Sequence, residues 1–564
     1  MTSRRAGRVK SVRAQSDLGR GRWWLALIGL CVVLTVPLFV VDVPPLGDYP
    51  NHLARVFVLA SLPHDDVLAR FYAANWSVIP NLALDLIAPP LINVLPVHVV
   101  GRLLIAAAVL LPVLGTVAYN TALGGRWWSL GAGLIAYNSC LLYGFLNFEI
   151  SVGVALLLAA VWLRWREPRP VQAIAVAAIG APILFACHLM GLAFFAVLIG
   201  GAELFQLYRL WISNERTGDK RTGPTRTGPE RTGPARTGPA RTGNLWFAAL
   251  GRGAVLLLVF AIPFGLYAMS ALRQHGGNVW FLPFGAKLLQ FVTAFVNYDW
   301  TLDVTTAVVA IALPAAGVLL RRGRAPGPAA IAMVLLLILF LAAPYAWKGT
   351  FSLDTRFAIM LGFMLFAGFV PTCWPTGFRR CAAVALVLLF VARMVLLTTA
   401  WAAHETDLAD LRTVLAPVQP GQAVYVAEAG LKEAPSYWAA NPHWRLLSNG
   451  LRVDEHLGAL VLIEHRAFWP LEFDNPSQQP MQTREPYQTL AARVGGLPDR
   501  SEAVVADVCG FDYVVLTGAD AVPDLPADRF RMMVRSGFAA LYAIVRCSAP
   551  GLPSPVLPSP VVPS

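Results

Sequence analysis

Titratable and amide side chains collect at the ends of the apolar stretches of this sequence. Asp48, Asn51, His52 and Arg55 follow the first stretch, and Asn147 and Glu149 fall between the third and fourth. His188 marks the tip between the fifth and sixth, and Asp299 and Asp303 precede the eighth. Lys348, Asp354 and Arg356 precede the tenth, and Arg393 lies inside the eleventh. Carboxylates and imidazoles transfer protons, and Lys and Arg hold anions. Such groups at membrane depth are costly and by default mark function. Each also has a plainer reading: Asp354 and Arg356 pair with each other, Arg393 snorkels to the interface, and His188 is structural. Collective placement raises the set above these, because several stretches deliver polar groups to one leaflet. The seven cysteines show no Cys-x-x-Cys spacing and no metal-ligand spacing is present, so a zinc or redox centre has no support.

The elements that must position these residues follow from composition. Of 564 residues, 56% are apolar and 14% are charged, against about 25% charged in soluble proteins. This excludes an ordinary soluble enzyme and indicates a polytopic α-helical membrane protein. A ruler of about 20 residues per span gives eleven spans: 23–41, 102–123, 127–146, 148–164, 171–187, 189–209, 253–270, 303–320, 328–346, 356–374 and 380–400. With the N-terminus inside, 25 Lys and Arg fall on the cytoplasmic side and seven in the outward loops before residue 400. The positive-inside rule therefore predicts an N-in, C-out topology. Residues 79–100 are apolar, but a span there would reverse that pattern; with Asp85, His98 and three prolines they read as a juxtamembrane or re-entrant element. The formal +12 is thus an orientation signal and calls for no nucleic-acid partner. All nine histidines (His52, His64, His98, His188, His275, His404, His443, His456 and His465) then face outward.

The chain divides into a basic cytoplasmic tail at 1–22, a transmembrane domain at 23–400 with an outward loop at 42–100, and a C-terminal region. Within the membrane domain, 214–244 repeats an Arg-Thr-Gly unit every five residues and reads as a disordered cytoplasmic linker. Residues 401–548 alternate charged stretches with strand-like runs at 423–426 and 513–516, predicting an extracytoplasmic α/β domain. Its two cysteines, Cys509 and Cys547, each adjoin such a run, and a disulfide between them is expected in an oxidising compartment; two buried thiols are the alternative. Residues 549–564 form a Pro-rich disordered tail. The whole is expected in a bacterial-type inner or plasma membrane.

The loop at 44–76 is the most informative. Asp48 stands just past the membrane exit, with His52 four residues on. From Asn51, a credible N-cap, Leu53, Val56, Phe57 and Ala60 repeat at helical spacing. This predicts an amphipathic helix along the membrane surface, holding Asp48 and His52 at headgroup level. A first span followed by a large outward loop that opens on Asp and runs into such a helix resembles the GT-C superfamily of membrane glycosyltransferases. That superfamily includes protein O-mannosyltransferases, aminoarabinose transferases and oligosaccharyltransferase catalytic subunits. Its members often carry an acid pair before a nearby His or Tyr; here Tyr49 directly follows Asp48 and the second acid is absent.

The resemblance implies transfer of a sugar from a polyprenyl-phosphate-linked donor to an envelope glycan, lipid or protein acceptor at the outer face. Asp48 matches the loop-1 acid and would take the acceptor's proton. His52 would orient acceptor or phosphate, Lys348 and Arg356 would meet the phosphate, and Glu149 and His188 would contact the sugar. Some relatives use a divalent cation; no other cofactor is implied. The rival readings are a non-catalytic assembly or polymer-export component and, third, a transporter, which the one-sided placement of polar residues disfavours.

Overall fold

The computed structural model describes residues 21–219, 242–273, 276–428, 444–494, 508–517 and 525–545. Most of the basic repeat, both chain ends, His275, His443 and Cys547 lie outside them. The chain opens with α1 (Gly21–Phe39), α2 (Tyr49–Ser61), α3 (Asp66–Phe71), β1 (Tyr72–Ala74), α4 (Ala83–Ile92) and α5 (Val97–Ala122). Next come α6 (Ser139–Leu142), α7 (Leu146–Trp165), α8 (Pro170–Cys187), α9 (Leu189–Asp219), α10 (Thr242–Met269), α11 (Phe284–Leu289) and α12 (Trp300–Leu319). They are followed by β2 (Gly323–Arg324), α13 (Gly327–Ala342), α14 (Leu353–Ala367), β3 (Val370–Pro371) and α15 (Thr376–Leu415). The last part holds β4 (Val424–Glu428), α16 (Leu460–His465), β5 (Met481–Thr483), α17 (Tyr487–Arg493), β6 (Tyr513–Thr517), β7 (Phe530–Ser536) and β8 (Ala539–Ile544).

Among the described residues, eight helices are long and apolar enough to cross a membrane: α1, α5, α7, α8, α9, α10, α12 and α15. Large apolar side chains such as Trp246, Phe247 and Leu250 on α10 are exposed, as expected where the surroundings are acyl chains rather than water. The α5 and α7 helices pack closely, since a methyl at Gly115 would lie 2.6 Å from the Gly153 carbonyl oxygen.

Three of the eleven expected spans are not span-length helices. Residues 328–346 give α13, of 16 residues, which stops because Pro344 forces Ala343 into extended backbone (ψ 138°). Residues 356–374 give α14, of 15 residues, ending at Gly368. Residues 127–146 break into a 3-10 helix (Trp127–Ile135), the short α6 and the first residue of α7. Here Asn138 accepts hydrogen bonds from the N–H groups of Cys140 and Leu141 at 2.9 and 3.1 Å. Gly144 then turns the chain at φ +95°. Irregular backbone of this kind is tolerated at membrane depth only when enclosed by protein, and Ser139, Cys140, Leu141 and Leu142 are all buried.

Residues 79–100 form α4, of ten residues, and the start of α5. The 40-residue α15 is unbroken across position 401. At 1.5 Å per residue it extends about 60 Å, twice the hydrocarbon thickness, so its second half carries the chain into the C-terminal part. There β4 and β6 pair in parallel, Val424 opposite Tyr513, and β8 joins β6 and β7 antiparallel, giving the sheet order β4-β6-β8-β7. These C-terminal elements are bound to the first loop: β1 pairs with β5, and Arg466 reaches Asp65 at 2.6 Å.

Candidate active site

Asp48 occupies the N-cap position of α2, and Asn51 lies one turn inside the helix, so the expected cap moves three residues upstream. The broken segment at 127–146 builds the seat for Asp48. Its backbone N–H donates to the Tyr143 carbonyl at 2.8 Å, and Gly47 donates to that of Leu142 at 3.1 Å. A side chain at Gly144 would strike the Tyr49 nitrogen at 2.6 Å, which is why a residue without Cβ stands there.

The α2 helix is enclosed by protein rather than amphipathic with one free face. It packs against α4 and α16, and Leu53, Ala54, Val56, Val58 and Leu59 are all buried. Ala54, Val58 and Leu59 extend the apolar stripe around the helix, the pattern of an enclosed element. Asn51 serves as a fastener, donating to the Leu471 carbonyl at 2.8 Å and accepting from the Phe473 N–H at 3.1 Å.

One turn on, Arg55 is buried and pairs with Asp85 through Nε at 2.7 Å, while a second nitrogen donates to His52 Nδ1 at 2.9 Å. Burial, reinforced by Arg55 and His456, holds His52 well below the usual histidine range, so it is neutral. Asp85→Asn strands the Arg55 charge. The expected cost is about 3–5 kcal/mol, read as a lowered thermal midpoint in detergent; an unchanged midpoint would show that the pair is not structural.

A cavity of about 1090 Å³ has Asp48, His52, His188, Lys348 and Arg356 on its wall. Glu149, in the first turn of α7, is fully buried and off that wall. The remaining wall comes largely from residues that sequence reasoning did not assign to a site. His456 Nε2 approaches Asp48 Oδ1 at 3.3 Å, and its ring packs edge-on to Phe473 at 5.0 Å. Beside it, Glu455 accepts from the Tyr143 hydroxyl at 3.1 Å. Glu472 also lines the cavity; burial pushes its carboxyl well above the usual range against the pull of Arg55. The signal available was the run Asp454-Glu455-His456, the one place in the chain where two adjacent acids directly precede a histidine.

Arg356 does not pair with Asp354, which instead faces Lys287 at 3.9 Å. Its guanidinium lies 4.7 Å from the centre of the Phe145 ring and 6.0 Å from that of Phe148. Only 5% of the residue is exposed, and among the described residues no ion pair or hydrogen bond engages its head group; the buried Nε is unpartnered. Asp48 and His188 are within its electrostatic reach. Lys348 donates to the carbonyls of Leu272 and Arg273 at 3.2 and 2.8 Å, which leaves one of its three N–H donors free of those bonds. Arg393 does not snorkel: it pairs with Asp303 at 2.6 Å, a carboxylate that also accepts from Ser448.

Cys509 is disulfide-bonded, while Cys547 lies outside the described residues. Among the described residues no group of three or more His, Cys, Asp or Glu is placed to hold a metal ion.

No family model matches the chain, and no curated protein matches it. Among solved structures it is similar to ArnT from Cupriavidus metallidurans bound to undecaprenyl phosphate, with a TM-score of 0.44 and 14% identity over 93% of this chain and 98% of that one.

Proposed function

We propose that the chain is a membrane glycosyltransferase of the GT-C type, transferring a sugar from a polyprenyl-phosphate-linked donor to an acceptor hydroxyl in the cavity between Asp48 and Arg356. The observation that carries this reading is Arg356. A guanidinium removed from water without an anionic partner costs several kcal/mol. That cost is recovered when an anion enters the cavity, and a lipid phosphate at a membrane edge supplies one. Trp347 and Phe351 beside Lys348 are exposed apolar groups on the cavity wall, suited to a lipid donor.

In this reading the acceptor oxygen attacks the anomeric carbon, forming the new C–O bond as the bond from that carbon to the phosphate oxygen breaks. The departing polyprenyl phosphate keeps the electron pair, and Arg356 and Lys348 stabilise its charge. The hydroxyl proton passes to Asp48. His456 Nε2 stands 3.3 Å from one carboxylate oxygen, and the other is the one that meets the acceptor. With the N-terminus inside, as the distribution of Lys and Arg favours, the cavity opens to the outer face and the C-terminal elements shape acceptor entry.

Direct binding tests the reading. Undecaprenyl phosphate should bind the purified protein and compete for the cavity with its sugar-linked form. Absence of saturable binding would count decisively against the proposal.

A further inference from the structure

A second groove, of about 700 Å³, lies between α1, the 3-10 segment Trp127–Ile135 and α15. Its wall is apolar along Leu30, Leu134 and Phe390, and carries Arg126 and Arg379; among the described residues no Asp or Glu lines it. From Arg379 to Phe390 the helix rises about 16 Å, so charge and apolar floor are separated along its length as headgroup and acyl chain are. At this end β3 lines the groove and pairs with β2, Arg324 opposite Val370, and the Arg322 carbonyl accepts from the N–H groups of Thr372 and Cys373. Trp127, 53% exposed, adjoins Arg126, the placement of aromatics at a headgroup boundary.

We propose that this groove binds an acidic membrane phospholipid, with its phosphate on Arg126 and Arg379 and one acyl chain along α1 and α15. Charge complementarity selects the occupant. Arg126 and Arg379 at the rim draw an anionic headgroup. The volume falls within the range of about 300–1,000 Å³ typical of small-molecule sites. The site is separate from the Asp48 cavity and does not depend on sugar transfer.

The test reconstitutes the full chain in vesicles of equal parts phosphatidylglycerol and phosphatidylcholine, then reads retained lipid by native mass spectrometry. Phosphatidylglycerol should be retained in preference. The double variant Arg126→Gln with Arg379→Gln should lower that retention about thirtyfold, the factor expected for two such contacts. Gly29→Trp should do the same with both arginines intact: Gly29 is on the groove wall and a Cβ there meets nothing within 4 Å, so the position accepts a side chain and a bulky one competes with the lipid for the groove. Arg164→Gln, an exposed arginine on α7 away from the groove, should leave retention unchanged. Equal retention of the two lipids by the unaltered protein would overturn the proposal, as would undiminished phosphatidylglycerol retention in Gly29→Trp. Should the double variant fail to fold, Gly29→Trp alone decides.

Discussion

Asp48→Asn should lower the rate of sugar transfer by about 10²–10⁴-fold, with membrane insertion and elution behaviour unchanged. The amide has the shape of the carboxylate and keeps its place 3.3 Å from His456 Nε2. The bonds that seat the residue use its backbone: its N–H to the Tyr143 carbonyl at 2.8 Å, and its carbonyl from the His52 N–H at 3.0 Å. Only the capacity to take a proton is lost, so the defect should fall on kcat and spare donor KM. Retained turnover in this variant would exclude Asp48 as the base.

Replacing Arg356 should separate a ligand-binding arginine from a structural one. Arg356→Met keeps an apolar body against Phe145 and Phe148, whose ring centres lie 4.7 and 6.0 Å from the guanidinium. It gives up a cation–π contribution of about 0.5–2 kcal/mol and relieves a larger penalty for an unpaired buried charge. The thermal midpoint of the ligand-free protein should therefore hold or rise. Donor KM should rise steeply, by about thirtyfold to a few thousandfold, the loss when one member of a buried charge pair is removed. A lowered midpoint with unchanged donor KM would identify Arg356 as part of the scaffold.

The membrane character of the chain is legible because it depends on composition and window length, which are local properties. Asp48, His52, His188, Lys348 and Arg356 are legible as a group because they flank apolar stretches whose ends the charge pattern places together, and they share one cavity. The surroundings of Asp48 are less so. Nothing near position 48 states that Tyr143 and Gly144 will form its seat; that follows from the break in 127–146, which apolar content alone disguises as a span. Leu53, Val56 and Phe57 fit an amphipathic surface helix, and only the approach of Leu471 and Phe473 to Asn51 reveals an enclosed one. His456, Glu455 and Glu472 belong to a stretch with soluble character, and their approach to the first loop is a long-range contact that no periodicity encodes. Glu149 differs: its position at a span end resembles that of the cavity residues, yet it is fully buried and off the cavity wall.

Release of polyprenyl phosphate from lipid-linked sugar is the decisive measurement for sugar transfer in the cavity between Asp48 and Arg356. Proteoliposomes holding the purified full chain would be supplied with a pool of polyprenyl-phosphate-linked sugars and an envelope extract as acceptor source. Time-dependent release of polyprenyl phosphate is expected, with labelled sugar appearing on an acceptor and both signals lost in Asp48→Asn. No release by the unaltered protein, or equal release by Asp48→Asn, would contradict the proposed transfer.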